Sequence, residues 1–235
     1  MASWIFPALS AAISAVFATL VLLRYLKGHK RHHLLWTLGL YGFTGAALAQ
    51  VVTDLSGGWS EGVYRAYYFL IGSLVMTLGA GTIYLMNKPK AADIFMYVTL
   101  ALVAVQAVVC AVTPVNTTGL AAAGTETGVG IASVPMRILT IVMSTVGALA
   151  LIAGAILSWR ATKRPHNLLI AVGAILLAIG GGTAGVATSE SLSAWALYIG
   201  NLAGIALLFV GFLISRPAAD TRPAAPAAPA ASPPA

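Results

Sequence analysis

Seven long apolar segments constrain the fold of this chain more than any other feature of its sequence. Each is close to the ~20 residues that an α-helix needs to cross the hydrocarbon core of a bilayer. None shows the alternation of polar and apolar residues that marks a strand of a membrane β-barrel. The segments cover residues 4–24, 34–54, 63–87, 94–114, 135–159, 167–187 and 194–215. We therefore predict an all-α membrane protein with seven transmembrane helices.

The composition argues against a soluble domain. Hydrophobic residues make up 59% of the 235-residue chain and charged residues only 8%, whereas soluble domains carry about a quarter charged residues. The excess apolar surface must face lipid, so the bilayer is the first predicted partner. The single cysteine, Cys110, excludes an intramolecular disulfide and a metal site built from cysteines.

Basic residues collect at one end of the predicted helices. Only Arg65 and Arg137, two of the thirteen lysines and arginines, fall at the other end. The positive-inside rule then predicts an external N-terminus and a cytoplasmic C-terminus. The Ala-rich and Gly-rich composition is typical of a bacterial protein, so we expect the inner or plasma membrane of a bacterium. The first segment is a retained helix, because its basic cluster follows it, whereas a cleaved signal peptide carries its charges first. The net charge of +7 is thus a topology signal, and it requires no nucleic-acid partner.

Two segments lie outside the apolar helices of the predicted transmembrane domain, which covers residues 1–215. Residues 116–133 form an external loop rich in Gly, Thr and Ala. The sequence Asn-Thr-Thr that begins this loop is a glycosylation sequon, which matters only in a eukaryotic secretory pathway. Residues 216–235 are rich in Pro and Ala and have no apolar face to bury, so we predict a disordered cytoplasmic tail.

The two halves of the chain resemble each other at an offset of 134 residues. The stretch HHLLWTLG aligns with HNLLIAVG, and the basic segments before them align as well. The matched pairs include His32 with His166, Gly39 with Gly173 and Tyr64 with Tyr198. We therefore predict a parallel 3+1+3 repeat with its pseudo-twofold axis along the membrane normal. Its halves are about 4–87 and 135–215, and its linker helix is 94–114; a chance similarity of Leu-rich helices is the alternative.

The 3+1+3 plan resembles SWEET and PQ-loop proteins in architecture, and the seven spans with an external N-terminus resemble microbial rhodopsins. However, the chain has no Pro-Gln dipeptide, and its last segment, WALYIGNLAGIALLFVGFLIS, lacks the lysine that holds retinal in rhodopsins. The stretches LLWTLGLYGFTGAALAQ, GWSEGVYRAYYFLIG and GAGTIYL look like those of a family of seven-span bacterial membrane proteins of uncharacterised activity. This resemblance implies the fold and no particular function.

Polar side chains within the apolar segments cluster toward the predicted outer side. Such groups are costly in a membrane and usually face the bundle interior or a water-filled cavity. We predict an outward-facing polar and aromatic pocket for a small ligand with a polar end and an apolar body. Its predicted residues are Gln50, Asp54, Arg65, Tyr67, Tyr68, Tyr198 and Asn201. Asp54 and Arg65 flank one short external loop, which makes an ion pair between them a further expectation.

Purely structural roles are the alternative for these residues. Tyr and Trp side chains commonly lie at both membrane interfaces. Asn201 lies between Gly200 and Gly204 and suits a close helix–helix contact, for which Gly181 and Gly185 offer a matching face.

The sequence predicts no cofactor, no metal site and no enzymatic activity. His29, His32 and His33 lie close together, but no carboxylate accompanies them, and their positive surroundings already have a topological role. No histidine lies inside an apolar segment to ligate haem, and no Ser/His/Asp or Cys/His combination is visible.

Two functions remain open at this point. The first is small-molecule binding or transport through the outward-facing pocket. The second is a non-enzymatic sensor or accessory subunit, which needs a membrane protein partner or a homo-oligomer. Few polar residues lie in the predicted inner half of the bundle, and this favours binding or a structural role over transport.

Overall fold

The computed structural model describes residues 3–86, 89–123, 131–186 and 190–215, apart from the side chains of 180–196. These residues form helices and no strand, which confirms the predicted all-α fold. The predicted tail, 216–235, lies outside them. The helices of the described residues are α1 (Ile5–Gly28), α2 (Arg31–Ser56), α3 (Glu61–Leu85), α4 (Pro89–Val112), α5 (Thr117–Ala122), α6 (Val134–Thr162), α7 (Pro165–Val186) and α8 (Glu190–Ile214).

Six helices in the described part are long and apolar enough to cross a bilayer. They are α1, α2, α3, α4, α6 and the Leu197–Ile214 part of α8, whereas the apolar part of α7 is described only over Pro165–Ile179. Large apolar side chains also face outward from the middle of these helices, such as Tyr97 of α4 and Leu149 of α6. These features support a multi-pass membrane protein, and the seventh span stays a prediction.

Six of the helices form a closed ring. In order around it, α1 contacts α2, α2 contacts α3, α3 contacts α6, α6 contacts α7, α7 contacts α8, and α8 contacts α1. Helix α4 lies outside the ring, against α3 and α6. We call the end that holds residues 29–30 and 163–164 the basic end, and the end that holds residues 57–60 the far end.

Polar contacts hold α4 to the ring at two levels. Near the basic end, Arg31 of α2 donates to Asp93 Oδ1 at 2.7 Å, and the Tyr84 hydroxyl of α3 donates to the same carboxylate. Nearer the far end, the fully buried Gln106 donates to Thr140 Oγ1 of α6 at 2.8 Å. Sequence analysis did not single out Asp93, although it is the one acidic side chain that the described residues place near the basic end.

Glycines let neighbouring helices approach closely. A Cβ atom at Gly147 of α6 would overlap the backbone of Val75 in α3. Likewise, a Cβ atom at Gly204 of α8 would lie 2.8 Å from the carbonyl oxygen of Gly173 in α7. The glycine that faces Gly204 in the described structure is therefore Gly173. The expected partners Gly181 and Gly185 lie in the stretch whose side chains are not described.

The predicted external loop contains a short helix, α5. Asn116 is its N-cap residue, and the Asn116 side-chain oxygen accepts a hydrogen bond from the Gly119 N–H at 2.9 Å. Leu120 is buried, and the Asn116 N–H donates to the Ile131 carbonyl at 3.0 Å. The composition of the loop did not predict this helix. A cap residue and one buried leucine stabilise it, and it has no extended apolar pattern that the sequence would reveal.

Candidate functional site

A cavity of about 510 Å³ lies within the helix ring, lined by α1, α2, α3, α6, α7 and α8. This volume falls within the ~300–1,000 Å³ range of small-molecule sites. Tyr67 and Leu78 of α3 both line the cavity, and they lie about 16 Å apart along the helix axis at 1.5 Å per residue. The cavity is therefore elongated along the helices.

The part of the cavity nearest the far end is polar. It is lined by four of the predicted residues, Gln50, Tyr67, Tyr68 and Asn201. The Gln50 amide donates to the Tyr67 hydroxyl at 3.1 Å, and both side chains are buried. The Asn201 side chain is half-buried and has no hydrogen-bond partner among the described residues. Its amide therefore faces the cavity with both of its hydrogen-bonding groups available to a ligand.

An aromatic cluster supports this polar region. The Trp59 ring lies 5.6 Å from the Tyr64 ring and 5.0 Å from the Tyr67 ring, and the Tyr64 and Tyr68 rings are 4.9 Å apart. Trp59, Tyr64 and Tyr67 are buried. They are thus part of the core of the bundle rather than an interfacial belt, and their packing fixes the position of the hydroxyl groups at the cavity wall.

Three predicted site residues, Asp54, Arg65 and Tyr198, do not line the cavity. Arg65 pairs with Glu61 at 2.7 Å and donates to backbone carbonyls at the end of α4, including that of Cys110 at 2.6 Å. Asp54 instead accepts from the Tyr198 hydroxyl at 3.4 Å. The expected ion pair between Asp54 and Arg65 is therefore not formed, because Glu61 lies one turn from Arg65 on the same helix.

Helix α6 contributes a polar row to the cavity that sequence analysis missed. Arg137, Thr140, Ser144 and Thr145 line the cavity from successive turns of this helix. Ser144 and Thr145 are among the few polar residues of the predicted inner half, and Thr140 was not predicted to line a site. Arg137 did carry a signal, since it is one of only two basic residues at the far end. Its direction into the ring depends on the packing of α6 against α3, which the sequence does not show.

Toward the basic end the cavity becomes apolar and then closes. Leucine and isoleucine side chains, among them Leu78, line its deepest part. Beyond this level, Gly81 of α3 packs against the Trp36 ring of α2, and Thr82 fills the space beside Gly154 of α6. The cavity is therefore closed toward the basic end, with polar groups nearer the far end and apolar groups nearer the basic end.

The described polar groups of this cavity suit recognition of a ligand. Among the described residues, no three His, Cys, Asp or Glu side chains lie close enough together to hold a metal ion. In the described part of the chain, the lining includes hydroxyl, amide and guanidinium groups and no carboxylate, thiol or imidazole. This set can donate hydrogen bonds and attract negative charge.

The sequence matches no protein-family model and no curated protein.

Proposed function

We propose that this chain is a seven-span membrane protein that binds a small molecule with a polar end and an apolar body. The observation that carries the proposal is the cavity within the helix ring, with amide and hydroxyl groups near the far end and leucines at its base. A polar group placed against the apolar part of the cavity would be costly, because it would have no hydrogen-bond partner there. A ligand of matching polarity avoids this cost.

The proposed topology places the far end outside the cell and the basic end in the cytoplasm. Of the ten lysines and arginines that the structure describes, eight lie at the basic end, as the positive-inside rule requires. The polar part of the cavity then lies in the external leaflet. The seventh span is α7, whose described apolar part packs along α8 through Gly173 and Gly204.

The proposed duplication of the chain is supported by two unusual backbone positions. His29 (φ 47°) and Lys163 (φ 54°) are the non-glycine residues with positive φ in the described part, and they are 134 residues apart. This is the same offset at which the sequence halves align. Each donates its backbone N–H to the carbonyl of an aromatic residue four positions earlier, Tyr25 or Trp159. Non-glycine residues seldom adopt this conformation, so coincidence at one offset is a poor explanation.

The helix contacts support the same duplication. A twofold exchange of α1, α2 and α3 with α6, α7 and α8 converts the α1–α2 contact into α6–α7, and the α2–α3 contact into α7–α8. It also converts α3–α6 into α8–α1, and all six contacts are present. Helix α4 has no counterpart in this exchange, as expected for the linker of a 3+1+3 protein.

Binding without passage across the membrane is the form of the proposal that the geometry favours. The ring is filled below the cavity by contacts such as Gly81 with Trp36. The ion pair between Arg31 and Asp93 also joins α2 to α4 at the basic end. A carrier would have to break contacts of this kind to open the cavity to the cytoplasm.

The test is to purify the protein in a mild detergent and identify co-purifying small molecules by mass spectrometry. Ala148→Phe places a ring in the cavity, whereas Ala153→Phe places the same ring on an exposed face of the same helix. We expect a stoichiometric small molecule in the wild type and the Ala153→Phe variant, and its loss in the Ala148→Phe variant with the fold intact. If only a membrane protein complex co-purifies, with no small molecule, the chain is an accessory subunit and the binding proposal is wrong.

A further inference from the structure

We infer that the ligand is an anionic amphiphile with a single acyl chain, whose acidic head binds Arg137. This inference rests on the proposed binding function and adds the chemical class of the ligand. It starts from the one charged side chain that lines the cavity, since every other lining residue in the described structure is neutral.

The position of Arg137 is unfavourable for a cation without an anionic partner. It lies in the first turn of α6, where the helix dipole already presents partial positive charge. It also lies at the end of the bundle that carries few basic residues. Such a charge raises the free energy of the protein alone and lowers it when an anion binds beside it.

Among the described residues, no charged group at the far end pairs with Arg137. Arg65 is compensated by Glu61, and the Asp54 carboxylate accepts from Tyr198. Within the described ranges, the ion pairs are Arg31 with Asp93 and Arg65 with Glu61, so none includes Arg137. Arg137 is half-buried and lines the cavity, so its donors remain available to an anionic ligand there.

Hydroxyl groups complete a site for an acidic head. Thr140 lies one turn from Arg137 on α6, and Tyr68 lines the cavity from α3 within electrostatic range of Arg137. A carboxylate accepts two or more hydrogen bonds, and the fork of an arginine side chain matches its two oxygens. The Asn201 amide offers a further donor from α8.

The remaining cavity fits one hydrocarbon chain. From Arg137 to Ile152, both of which line the cavity, the distance along α6 is about 22 Å at 1.5 Å per residue. This exceeds the ~15 Å hydrocarbon depth of one bilayer leaflet. The lining nearer the basic end is made of residues such as Leu74, Leu78 and Leu151. A volume of about 510 Å³ spread over that length is a narrow space, which favours one chain over two.

A side opening gives a membrane amphiphile access to the cavity. Ile141, Thr145 and Leu149 lie at intervals of four residues on α6, and all three are exposed although they line the cavity. Ala178 does the same on the neighbouring helix α7. The opening lies at the middle of apolar helices, where an acyl chain in the bilayer would meet it. The ligand can therefore enter sideways from lipid.

The experiment is a native mass spectrometry titration of the detergent-purified full chain with hexadecanoate and, separately, hexadecanol. Alkaline buffer keeps the acid ionised while the guanidinium stays protonated. We expect the wild type to bind the acid at least about tenfold more tightly than the alcohol, because hydrogen bonds to charged groups are the stronger ones. Arg137→Gln should remove this preference, and Arg137→Lys should retain most of it.

Arg160→Gln is the matched control, because it removes the same charge from an exposed position at the other end of α6. It should leave the preference unchanged. Equal affinity of the wild type for the acid and the alcohol would overturn the inference, as would an unchanged preference in Arg137→Gln. A dioleoyl phosphatidate that displaces hexadecanoate at lower concentration would overturn the single-chain part.

The Ala148→Phe variant separates this inference from the proposed function. If both probes bind equally and both are lost in Ala148→Phe but kept in Ala153→Phe, the cavity binds amphiphiles and only the role of Arg137 is wrong. If hexadecanoate binds equally well to wild type and Ala148→Phe, it binds elsewhere, and neither proposal holds for this ligand. A thermal unfolding curve for each variant verifies that the fold is retained.

Discussion

At the scale of single residues, Arg65 shows how one side chain organises the far end. Its guanidinium pairs with Glu61 on its own helix and donates to the carbonyls of Cys110 and Thr113 at 2.6 and 2.8 Å. These carbonyls lie at the end of α4, where a helix leaves its last acceptors without intrahelical donors. A positive charge is also favourable at this end of the helix dipole. Arg65 therefore has a structural role, whereas Arg137 faces the cavity.

Replacement of Arg65 should consequently destabilise the protein. We expect Arg65→Met to lower the free energy of unfolding by about 1.5–3 kcal/mol, the usual contribution of hydrogen bonds to a charged group. The measurement is an unfolding curve in mixed detergent micelles. Arg160→Met, at an exposed position, should change stability by less than about 0.5 kcal/mol. Equal effects of the two substitutions would show that the contacts of Arg65 contribute nothing specific.

At the scale of helices, the closest approach joins α3 to α6. Gly79 of α3 and Gly147 of α6 face each other, and a Cβ atom at Gly79 would lie 2.6 Å from the Gly147 carbonyl oxygen. In a membrane, where lipid is as apolar as leucine, such small residues allow the backbone contacts that hold helices together. The same approach orients the polar row of α6, and with it Arg137, into the ring.

A single methyl group at this contact should separate the two helices. We expect Gly147→Ala to destabilise the protein by about 2 kcal/mol or more, because the added carbon meets backbone that cannot rotate away. It should also weaken ligand binding, since α6 carries four of the nine polar residues in the described lining. Gly62→Ala is the control, because no atom lies within 4 Å of its added Cβ. Thermal unfolding in detergent measures both, and a neutral Gly147→Ala would contradict the close packing of α3 on α6.

At the scale of the whole molecule, topology decides which side of the membrane the cavity faces. We expect a cysteine at Gly62, an exposed position at the far end, to react with a membrane-impermeant maleimide in intact cells. A cysteine at Lys163, exposed at the basic end, should react only after lysis. The background for both is Cys110→Ser, which removes the single buried thiol. The reverse labelling pattern would invert the topology and place the polar end of the cavity on the cytoplasmic side.

The sequence by itself determined the helical class of the protein and the approximate extent of its helices. Hydrophobicity acts locally along the chain, so long apolar runs predict helices without any knowledge of their neighbours. For the same reason it predicted that Gln50, Tyr67, Tyr68 and Asn201 lie near one end, and the structure brings these four together at the cavity wall. Their role in binding stays a prediction.

Only the tertiary structure decided which polar groups meet. Arg65 pairs with Glu61 and contacts the end of α4, whereas Arg137 lines the cavity. Both are arginines near the start of a helix at the same end of the bundle. The deciding quantities are the rotation of each helix about its axis and the closeness of its neighbours. These depend on small-residue contacts such as that of Gly79 with Gly147, between residues 68 positions apart in the sequence. Nonlocal packing of this kind leaves no periodic signal in one chain, and so the cavity itself became visible only in the folded molecule.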